Sequence, residues 1–126
     1  MKITEISIAV VKNSDGLYLI CLRPDQVHQG GKWEFPGGKV ESDEQPAQAM
    51  CRELKEEVGL IAQQYVLIES KLFNYSDAQL HLHFYLVTEF SGIATGREGQ
   101  PIKWVSQAQL SLYEFPQANK SVIAQL

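Results

Sequence analysis

The chain has few cysteines, no long apolar run and no signal-peptide pattern at its N-terminus. Cys21 and Cys51 are its two cysteines, which is too few for a disulfide framework, and they lack metal-ligand spacing. Both fall in apolar patterns, so we expect buried, reduced thiols. No apolar segment approaches the ~20 residues that a membrane span requires. These absences argue against a disulfide-rich secreted domain and predict a cytoplasmic protein without a membrane partner.

Positive charge is also scarce, since 11 Lys and Arg stand against 15 Asp and Glu and the net charge is −4. Surfaces that bind nucleic acid directly are usually basic, so we expect no nucleic-acid partner. Phosphate on a small-molecule substrate would then be bound through a metal ion. At 126 residues, with no repeat and no linker, the chain predicts a single domain over residues 1–126, which we expect to be a monomer.

The apolar patterns predict strands and helices in alternation. The strands are expected at residues 3–12, 17–23, 64–73, 80–88 and 102–105. The turn cluster at residues 13–16 predicts that the first two strands form a hairpin. Helical segments are expected between Pro46 and Gly59, from Ser106 to Leu112 and over residues 117–126. This order predicts an α/β fold in which a mixed β-sheet is packed between helices.

The stretch from Gly37 to Leu60 combines a glycine turn, an acidic loop and an amphipathic helix. Pro46 suits the first helical turn, because the N–H that it lacks would have no intrahelical partner there. Gly59 suits the position just past the helix, where φ is usually positive. An apolar stripe through Ala47, Cys51, Leu54 and Val58 is expected to face the core. The helix therefore has a defined start, end and buried side.

Three glutamates share the other side of this helix, because Glu53, Glu56 and Glu57 are spaced i, i+3 and i+4. Like charges at this spacing repel, and two of them lie at the negative end of the helix dipole. A solvated acidic face is one interpretation of this cluster. The other is a divalent cation that offsets the repulsion, and oxygen ligands favour Mg²⁺ or Mn²⁺ bound together with a substrate phosphate.

The spacing of these residues matches the Nudix box at every defined position, so the chain resembles the Nudix family. The matching residues are Gly38, Glu44 and the run Arg52-Glu53-Leu54-x-Glu56-Glu57-x-Gly59-Leu60. The resemblance implies the Nudix α/β/α sandwich and divalent cations that bind the diphosphate of a nucleotide substrate. It implies Mg²⁺, with Mn²⁺ as a substitute, on Glu53, Glu56 and Glu57, with the Gly37 carbonyl as a further ligand.

The resemblance extends to the MutT branch of that family, whose members hydrolyse 8-oxo-dGTP. The matching stretches are WEFPGGKVE, GREGQPIKWV and EFPQANKSVIAQL. It implies that Arg23 lies by the nucleotide phosphate or ribose, that Phe35 lies in the base pocket and that Asn119 contacts the base edge. Their ordinary alternatives are a surface arginine, a core phenylalanine and a helix-terminal asparagine. WEFPGGKVE is also shared with pyrimidine-nucleotide relatives, so CTP or a modified pyrimidine triphosphate is the alternative substrate.

Asn119 suits an oxidised purine on chemical grounds. Oxidation at C8 converts N7 of guanine from an acceptor into an N–H donor. An asparagine amide can accept from that N–H while it donates to O6. Undamaged guanine would leave the amide oxygen facing a lone pair, and a buried mismatch of this kind discriminates strongly.

The implied reaction is metal-assisted hydrolysis of a nucleoside triphosphate to a monophosphate and pyrophosphate. Glu53 is the first candidate to orient or deprotonate the attacking water. Glu98 is the second candidate and is otherwise a metal ligand. Arg52 is expected to fix a box carboxylate, with Glu44 as a plausible partner. A nucleotide sensor on an inactive fold is disfavoured, because none of the metal glutamates is missing.

The three histidines carry no predicted role. His28 lies in a polar loop, and we expect it to be solvated. His81 and His83 alternate with apolar residues along one predicted strand. Histidines two apart on a strand can bind a metal, but the sequence shows no third soft ligand, so a half-buried polar face is expected.

Overall fold

The structure is a computed structural model that describes residues 2–126, and its strands form two sheets. In chain order the strands are β1 (Ile3–Val11), β2 (Tyr18–Leu22), β3 (Trp33–Glu34), β4 (Gly37–Lys39), β5 (Ile61–Tyr75), β6 (Ala78–Ser91) and β7 (Ile102–Val105). The four-stranded sheet has the order β4-β1-β6-β5, and the three-stranded sheet has the order β3-β2-β7. β1 and β6 run parallel, whereas the other paired strands are antiparallel.

The helices are α1 (Pro46–Val58), two 3₁₀ helices (Ala108–Leu112 and Gln117–Asn119) and α2 (Lys120–Ile123). The predicted mixed α/β fold is confirmed. The last two helical segments are shorter and tighter than the sequence indicates. No helix in the described part of the chain has the length and apolar character needed to cross a membrane.

The predicted hairpin between the first two strands is wrong. β1 is paired on both edges, with β4 on one side and β6 on the other. β2 instead pairs with β3 and β7 in the second sheet. Within residues 2–126, the Lys12–Tyr18 bridge is the one ladder contact where the turn joins the two strands. A turn signal fixes the chain reversal, but long-range partners decide which edges pair.

α1 begins and ends where the sequence predicts. Pro46 is its first residue, and the side chain of Gln48 accepts a hydrogen bond from the Gln45 N–H at 2.8 Å. Gly59 has φ of 76°, and its N–H donates to the carbonyl of Lys55 at 3.0 Å. This left-handed C-terminal residue closes the helix without a steric penalty.

The buried stripe of α1 differs in part from the expected one. Its fully buried residues are Ala49, Met50, Leu54 and Val58, whereas Ala47 and Cys51 are only partly buried. The stripe packs on the face of the four-stranded sheet that carries Ala9 and Val11 of β1 and Tyr85 and Val87 of β6. The acidic side of the helix thereby faces β4, where Glu53 and Glu57 are partly buried, whereas Glu56 is exposed. Cys21 is a buried free thiol, whereas the free thiol of Cys51 is partly exposed.

The opposite face of the same sheet forms a second apolar cluster. It contains Ile8 and Val10 of β1 together with Phe84 of β6. Phe35, from the segment between β3 and β4, and Phe115, from the C-terminal segment, pack against it with ring centroids 5.3 Å apart. β1 is therefore buried on both faces, and the edge strand β4 lies between helix α1 and this cluster.

Candidate active site

Arg52 organises the carboxylates on the acidic side of α1. Its Nε and Nη2 donate to the two oxygens of Glu44 at 2.6 and 2.9 Å, a bidentate pair. Its Nη1 donates to Glu53 at 2.8 Å and to Glu56 at 3.2 Å, and its Nη2 also donates to the carbonyl of Lys39 at 3.0 Å. Hydrogen bonds from Arg52 lower the pKa of Glu44 to about 2. One guanidinium thus holds three box carboxylates and the edge strand.

Glu57 lies deeper than the other box glutamates. Its Oε2 accepts a hydrogen bond from the Gly37 N–H at 2.7 Å. Burial, followed by the negative charge of Glu34, raises the pKa of Glu57 to about 8, and Glu53 and Glu98 add to the effect. Burial also raises the pKa of Glu53. The carboxylates of Glu53, Glu57 and Glu98 offer oxygen as their only donor atom. Such a set fits a hard divalent cation such as Mg²⁺ or Mn²⁺.

The two glycines of β4 leave no room for side chains. A Cβ on Gly38 would come within 2.6 Å of both carboxylate oxygens of Glu53. A Cβ on Gly37 would overlap the carbonyl oxygen of Ser7 and lie 3.2 Å from Cγ1 of Ile8. Glycine at position 38 therefore lets the backbone of β4 lie against the Glu53 carboxylate, and glycine at position 37 lets it lie close against β1.

A loop after β6 brings Glu98 to this cluster. The Arg97 N–H and the Gln100 side chain donate to the carbonyl of Glu57 at 3.0 and 3.1 Å, which satisfies the C-terminal end of α1. Gln100 also accepts a hydrogen bond from the Glu98 N–H at 2.9 Å. Glu98 is exposed, yet its charge acts on Glu53 and Glu57. The predicted metal and water-orienting roles of these residues remain predictions.

A cavity of about 250 Å³ reaches β4, the strand beside the acidic helix. Its lining includes Gly37 and Gly38 of β4 as well as Asn119, which lies more than 80 positions later in the chain. Ile8, Phe35 and Leu82 are among its apolar lining residues. The three predicted substrate-contacting residues, Arg23, Phe35 and Asn119, all line it.

Two polar side chains in this cavity have an atom without a protein partner. Asn119 is 7% exposed, and its Nδ2 donates only a long hydrogen bond, 3.4 Å, to the carbonyl of Pro116. Its Oδ1 receives no hydrogen bond from any residue between 2 and 126. His28 pairs through Nδ1 with Asp77 at 2.8 Å and packs edge-on against Tyr75, while its buried Nε2 has no partner in the described chain. A buried polar atom without a partner, such as His28 Nε2, is rare in proteins, and the cavity therefore suits a polar ligand.

Arg23 lies at the same cavity and is held by two contacts. Its Nη1 donates to Glu34 at 2.6 Å, and its Nε donates to the carbonyl of His28 at 2.9 Å. Burial raises the pKa of Glu34, although the charge of Arg23 opposes the shift. The guanidinium is thus positioned by the protein before any ligand arrives.

Three residues that line the cavity had no site role predicted from the sequence: His28, Glu34 and Tyr75. The expectation that His28 is solvated is wrong, because Asp77 and Tyr75 fold its loop over the cavity. The hydroxyl of Tyr75 accepts a hydrogen bond from the Ala118 N–H at 2.8 Å, which joins the β5–β6 turn to the C-terminal segment. Glu34 had one available signal, since it is a lone acid between two aromatic residues.

Comparisons with known proteins identify the family of this chain. A family model described as a NUDIX domain matches residues 7–125. An 8-oxo-dGTP diphosphatase from Escherichia coli K12 is 40% identical over 126 residues, covering 100% of this chain and 98% of that protein. A CTP pyrophosphohydrolase from the same strain is 38% identical over 119 residues, covering 94% and 87%. A solved structure from a study of MutT from Aliivibrio salmonicida and Vibrio cholerae is 43% identical, with a TM-score of 0.86 and coverage of 98% and 96%.

Proposed function

This chain belongs to the Nudix family, and from that premise we propose that it hydrolyses 8-oxo-dGTP to 8-oxo-dGMP and pyrophosphate. The reaction would remove an oxidised precursor from the nucleotide pool before it causes mutation. One observation carries the proposal: a single cavity joins the glycines beside the acidic helix to the unpaired amide oxygen of Asn119. Relatives over the full chain, including the E. coli diphosphatase, support the same activity.

The base would bind at Asn119. Its Oδ1 would accept the N7–H that only the oxidised base carries, and its Nδ2 would donate to O6 in place of the long contact to Pro116. Phe35 supplies an apolar wall that is fixed by Phe115. Undamaged guanine would bury the amide oxygen against a lone pair, and this mismatch is the proposed source of selectivity.

The triphosphate would extend from this pocket toward the carboxylate cluster. Glu53, Glu56, Glu57, Glu98 and the Gly37 carbonyl are the residues that would hold Mg²⁺, with Mn²⁺ as a substitute. When bound, the ion supplies charge neutralisation of the phosphates and a lowered pKa for the attacking water. Arg52 keeps Glu53 and Glu56 in place through its hydrogen bonds. Arg23 would contact the phosphate or ribose.

Water would add across the linkage between the α and β phosphates, so that one P–O bond breaks and one forms. Glu53 is the first candidate to orient the water and accept its proton, because it lies against Gly38 and is held by Arg52. Glu98 is the second candidate. Glu44 acts through Arg52 and is a positioning residue. We further propose that the protein is a cytoplasmic monomer that binds a free nucleotide and neither nucleic acid nor membrane.

CTP or a modified pyrimidine triphosphate is the second candidate substrate. The similarity to the E. coli CTP pyrophosphohydrolase favours it, but a pyrimidine has no N7–H for Asn119 to accept. The alternative would therefore leave the amide oxygen of Asn119 without a partner.

The test is a hydrolysis panel of 8-oxo-dGTP, dGTP, CTP and methylated pyrimidine triphosphates with excess Mg²⁺, with products identified by chromatography. We expect 8-oxo-dGTP to have the highest kcat/KM and to yield pyrophosphate rather than orthophosphate. Removal of Mg²⁺ with a chelator should stop hydrolysis, and Mn²⁺ should restore it. A higher kcat/KM for CTP would transfer the assignment to the pyrimidine reaction.

A further inference from the structure

The face of the four-stranded sheet that carries α1 also holds a compact cluster of two histidines and a glutamate. Glu5 lies on β1, directly opposite His81 of the parallel strand β6, and His83 follows two residues later on the same face. The Glu5 carboxylate bonds His81 Nδ1 through one oxygen and His83 Nε2 through the other, both at 2.8 Å. The ligand atoms of the three residues all lie within 4.8 Å of one another.

The outer nitrogens of both rings converge on one further side chain. Ser70, on β5 and opposite His83, places its Oγ 3.1 Å from His83 Nδ1 and 3.4 Å from His81 Nε2. A hydroxyl oxygen has two lone pairs and can accept from both rings. Once a cation has displaced the inner protons, Ser70 would keep the protons on the outer nitrogens, so that the inner nitrogens act as lone-pair donors. Metal-binding histidines are commonly oriented by a hydrogen bond of this kind.

The cluster is separate from the nucleotide cavity. Side chains on a strand alternate between faces, and the cavity is lined by Ile6 and Ile8 of β1 and by Leu80 and Leu82 of β6. Glu5, His81 and His83 occupy the alternate positions. The hydroxyl of Ser7, on their face, donates to the carbonyl of Pro46 at the start of α1 at 2.7 Å.

We propose that Glu5, His81 and His83 form a second metal site, which binds Zn²⁺ or a similar divalent transition cation on the sheet face opposite the nucleotide cavity. Two imidazoles and a carboxylate suit Zn²⁺ with water as its fourth ligand, whereas Mg²⁺ prefers oxygen donors alone. The cation would replace the two ring protons that now bond the Glu5 carboxylate. It would also cross-link β1 to β6, since the ligands come from both strands.

The direct test is the imidazole ¹⁵N NMR spectrum of the full chain, recorded in saturating Mg²⁺ while Zn²⁺ is added to one equivalent. Excess Mg²⁺ occupies the carboxylates of α1, and the spectrum separates the three histidines of the chain. We expect His81 Nδ1 and His83 Nε2 to shift together while His28 stays unchanged, because His28 lies outside the cluster. If either cluster histidine fails to shift at one equivalent, or if His28 responds equally, the proposal is wrong.

Thermal unfolding gives an independent readout. Zn²⁺ in the presence of Mg²⁺ should raise the Tm by a few degrees, because the ion binds the folded arrangement. The rise should disappear in Glu5→Gln and in His83→Gln and should persist in His28→Gln, the matched control. Glu5 is exposed, so Glu5→Gln keeps the test valid should His83→Gln fail to fold. Persistence of the rise in Glu5→Gln would overturn the proposal.

Ser70→Ala tests the positioning role of the hydroxyl. Loss of an outer-shell partner typically weakens metal affinity by about 10- to 100-fold, and we expect a loss of that size with an unchanged Tm in the absence of Zn²⁺. Ser70→Thr, which keeps the hydroxyl, should restore the affinity. Equal affinity in Ser70→Ala and the wild type would show that the hydroxyl does not orient the rings.

Discussion

The acidic end of the candidate site comes from one contiguous segment and one loop, whereas the cavity that forms its pocket end is lined from four parts of the chain, residues 6–8, 23–39, 75–82 and 116–119. The acidic end comprises Gly37, Gly38 and the glutamates of α1, with Glu98 added from the loop after β6. The pocket end comprises Arg23, His28, Phe35 and Asn119. Helical spacing and Arg52 organise the acidic end. The pocket end forms only when β1, β6 and the C-terminal segment have packed together.

This difference has a functional consequence. In the proposed mechanism the acidic end would act on the phosphates, which all nucleoside triphosphates share, so its variants should affect every substrate alike. In the same proposal, Asn119 of the pocket end would contact the base, so its variants should change the ratio between substrates, whereas Arg23 would contact the phosphate or ribose that the substrates share. The following substitutions test that division.

The largest effect is expected from Glu57→Gln, which we expect to lower kcat on every nucleotide by roughly 10²- to 10⁴-fold. A metal clamp supplies several kcal/mol of transition-state stabilisation, and each ~1.4 kcal/mol is tenfold in rate. The Tm without metal should stay constant or rise, because a buried carboxylate beside Glu34 and Glu53 is removed. Steady-state kinetics measures kcat, and calorimetry measures the Tm. Glu114→Gln, an exposed acid outside the cluster (77% exposed side chain), is the control, and equal activity in both variants would contradict the metal role.

Asn119→Ala should lower kcat/KM for 8-oxo-dGTP by roughly 10- to 100-fold while changing that for dGTP little. A lost base contact in a desolvated pocket is worth roughly 1–3 kcal/mol, and ~1.4 kcal/mol is tenfold. The measurement is the ratio of the two specificity constants in the variant and the wild type. A ratio that survives this substitution, or that is already near one in the wild type, removes the oxidised-purine assignment and favours the pyrimidine alternative.

Arg23→Ala should lower kcat/KM about tenfold for both 8-oxo-dGTP and dGTP, which leaves their ratio unchanged. Phosphate and sugar are common to the two nucleotides, and hydrogen bonds to charged groups contribute about 1.5–3 kcal/mol. The substitution also leaves the Glu34 carboxylate without the hydrogen bond that Arg23 now donates to it at 2.6 Å. The double variant Arg23→Ala/Glu34→Gln removes that complication. A change in the substrate ratio that persists in the double variant would place Arg23 at the base instead.

The smallest effect is expected at His28. His28→Gln should raise KM roughly two- to tenfold, because a neutral hydrogen bond contributes about 0.5–1.5 kcal/mol and the buried Nε2 has no other partner in the described residues. Gln26→Ala, an exposed position of the same loop, should leave KM unchanged. If the two variants behave alike, His28 only supports the loop through Asp77.

The sequence predicted the bounds of α1 and the side that its glutamates share, because this information is local. Pro46 and Gly59 mark the ends of α1, and helical spacing places Glu53, Glu56 and Glu57 on one side. The resemblance to the Nudix family came from the same local spacing and is confirmed by the family match. Strand existence was also predictable, since alternation and β-branched residues are properties of short segments.

Pairing partners were not predictable in the same way. The turn at residues 13–16 implied a hairpin, yet β1 and β2 lie in different sheets because β4 and β6 take both edges of β1. Edge pairing depends on residues far apart in the chain, and a local pattern carries no information about them. The expected apolar stripe of α1 was shifted for the same reason, since the facing sheet decides which side is buried.

The sequence by itself therefore determined the helix, its carboxylates and the family, because helical period and motif spacing are fixed by neighbouring residues. Only the tertiary structure decided how the pocket is closed and which side chains meet across strands. His28 turned toward the cavity because Asp77 and Tyr75 hold its loop. Glu5 lies beside His81 and His83 because β1 and β6 pair in parallel register, although Glu5 and His81 are 76 residues apart in the chain. Such contacts arise from long-range packing, and sequence spacing does not encode them.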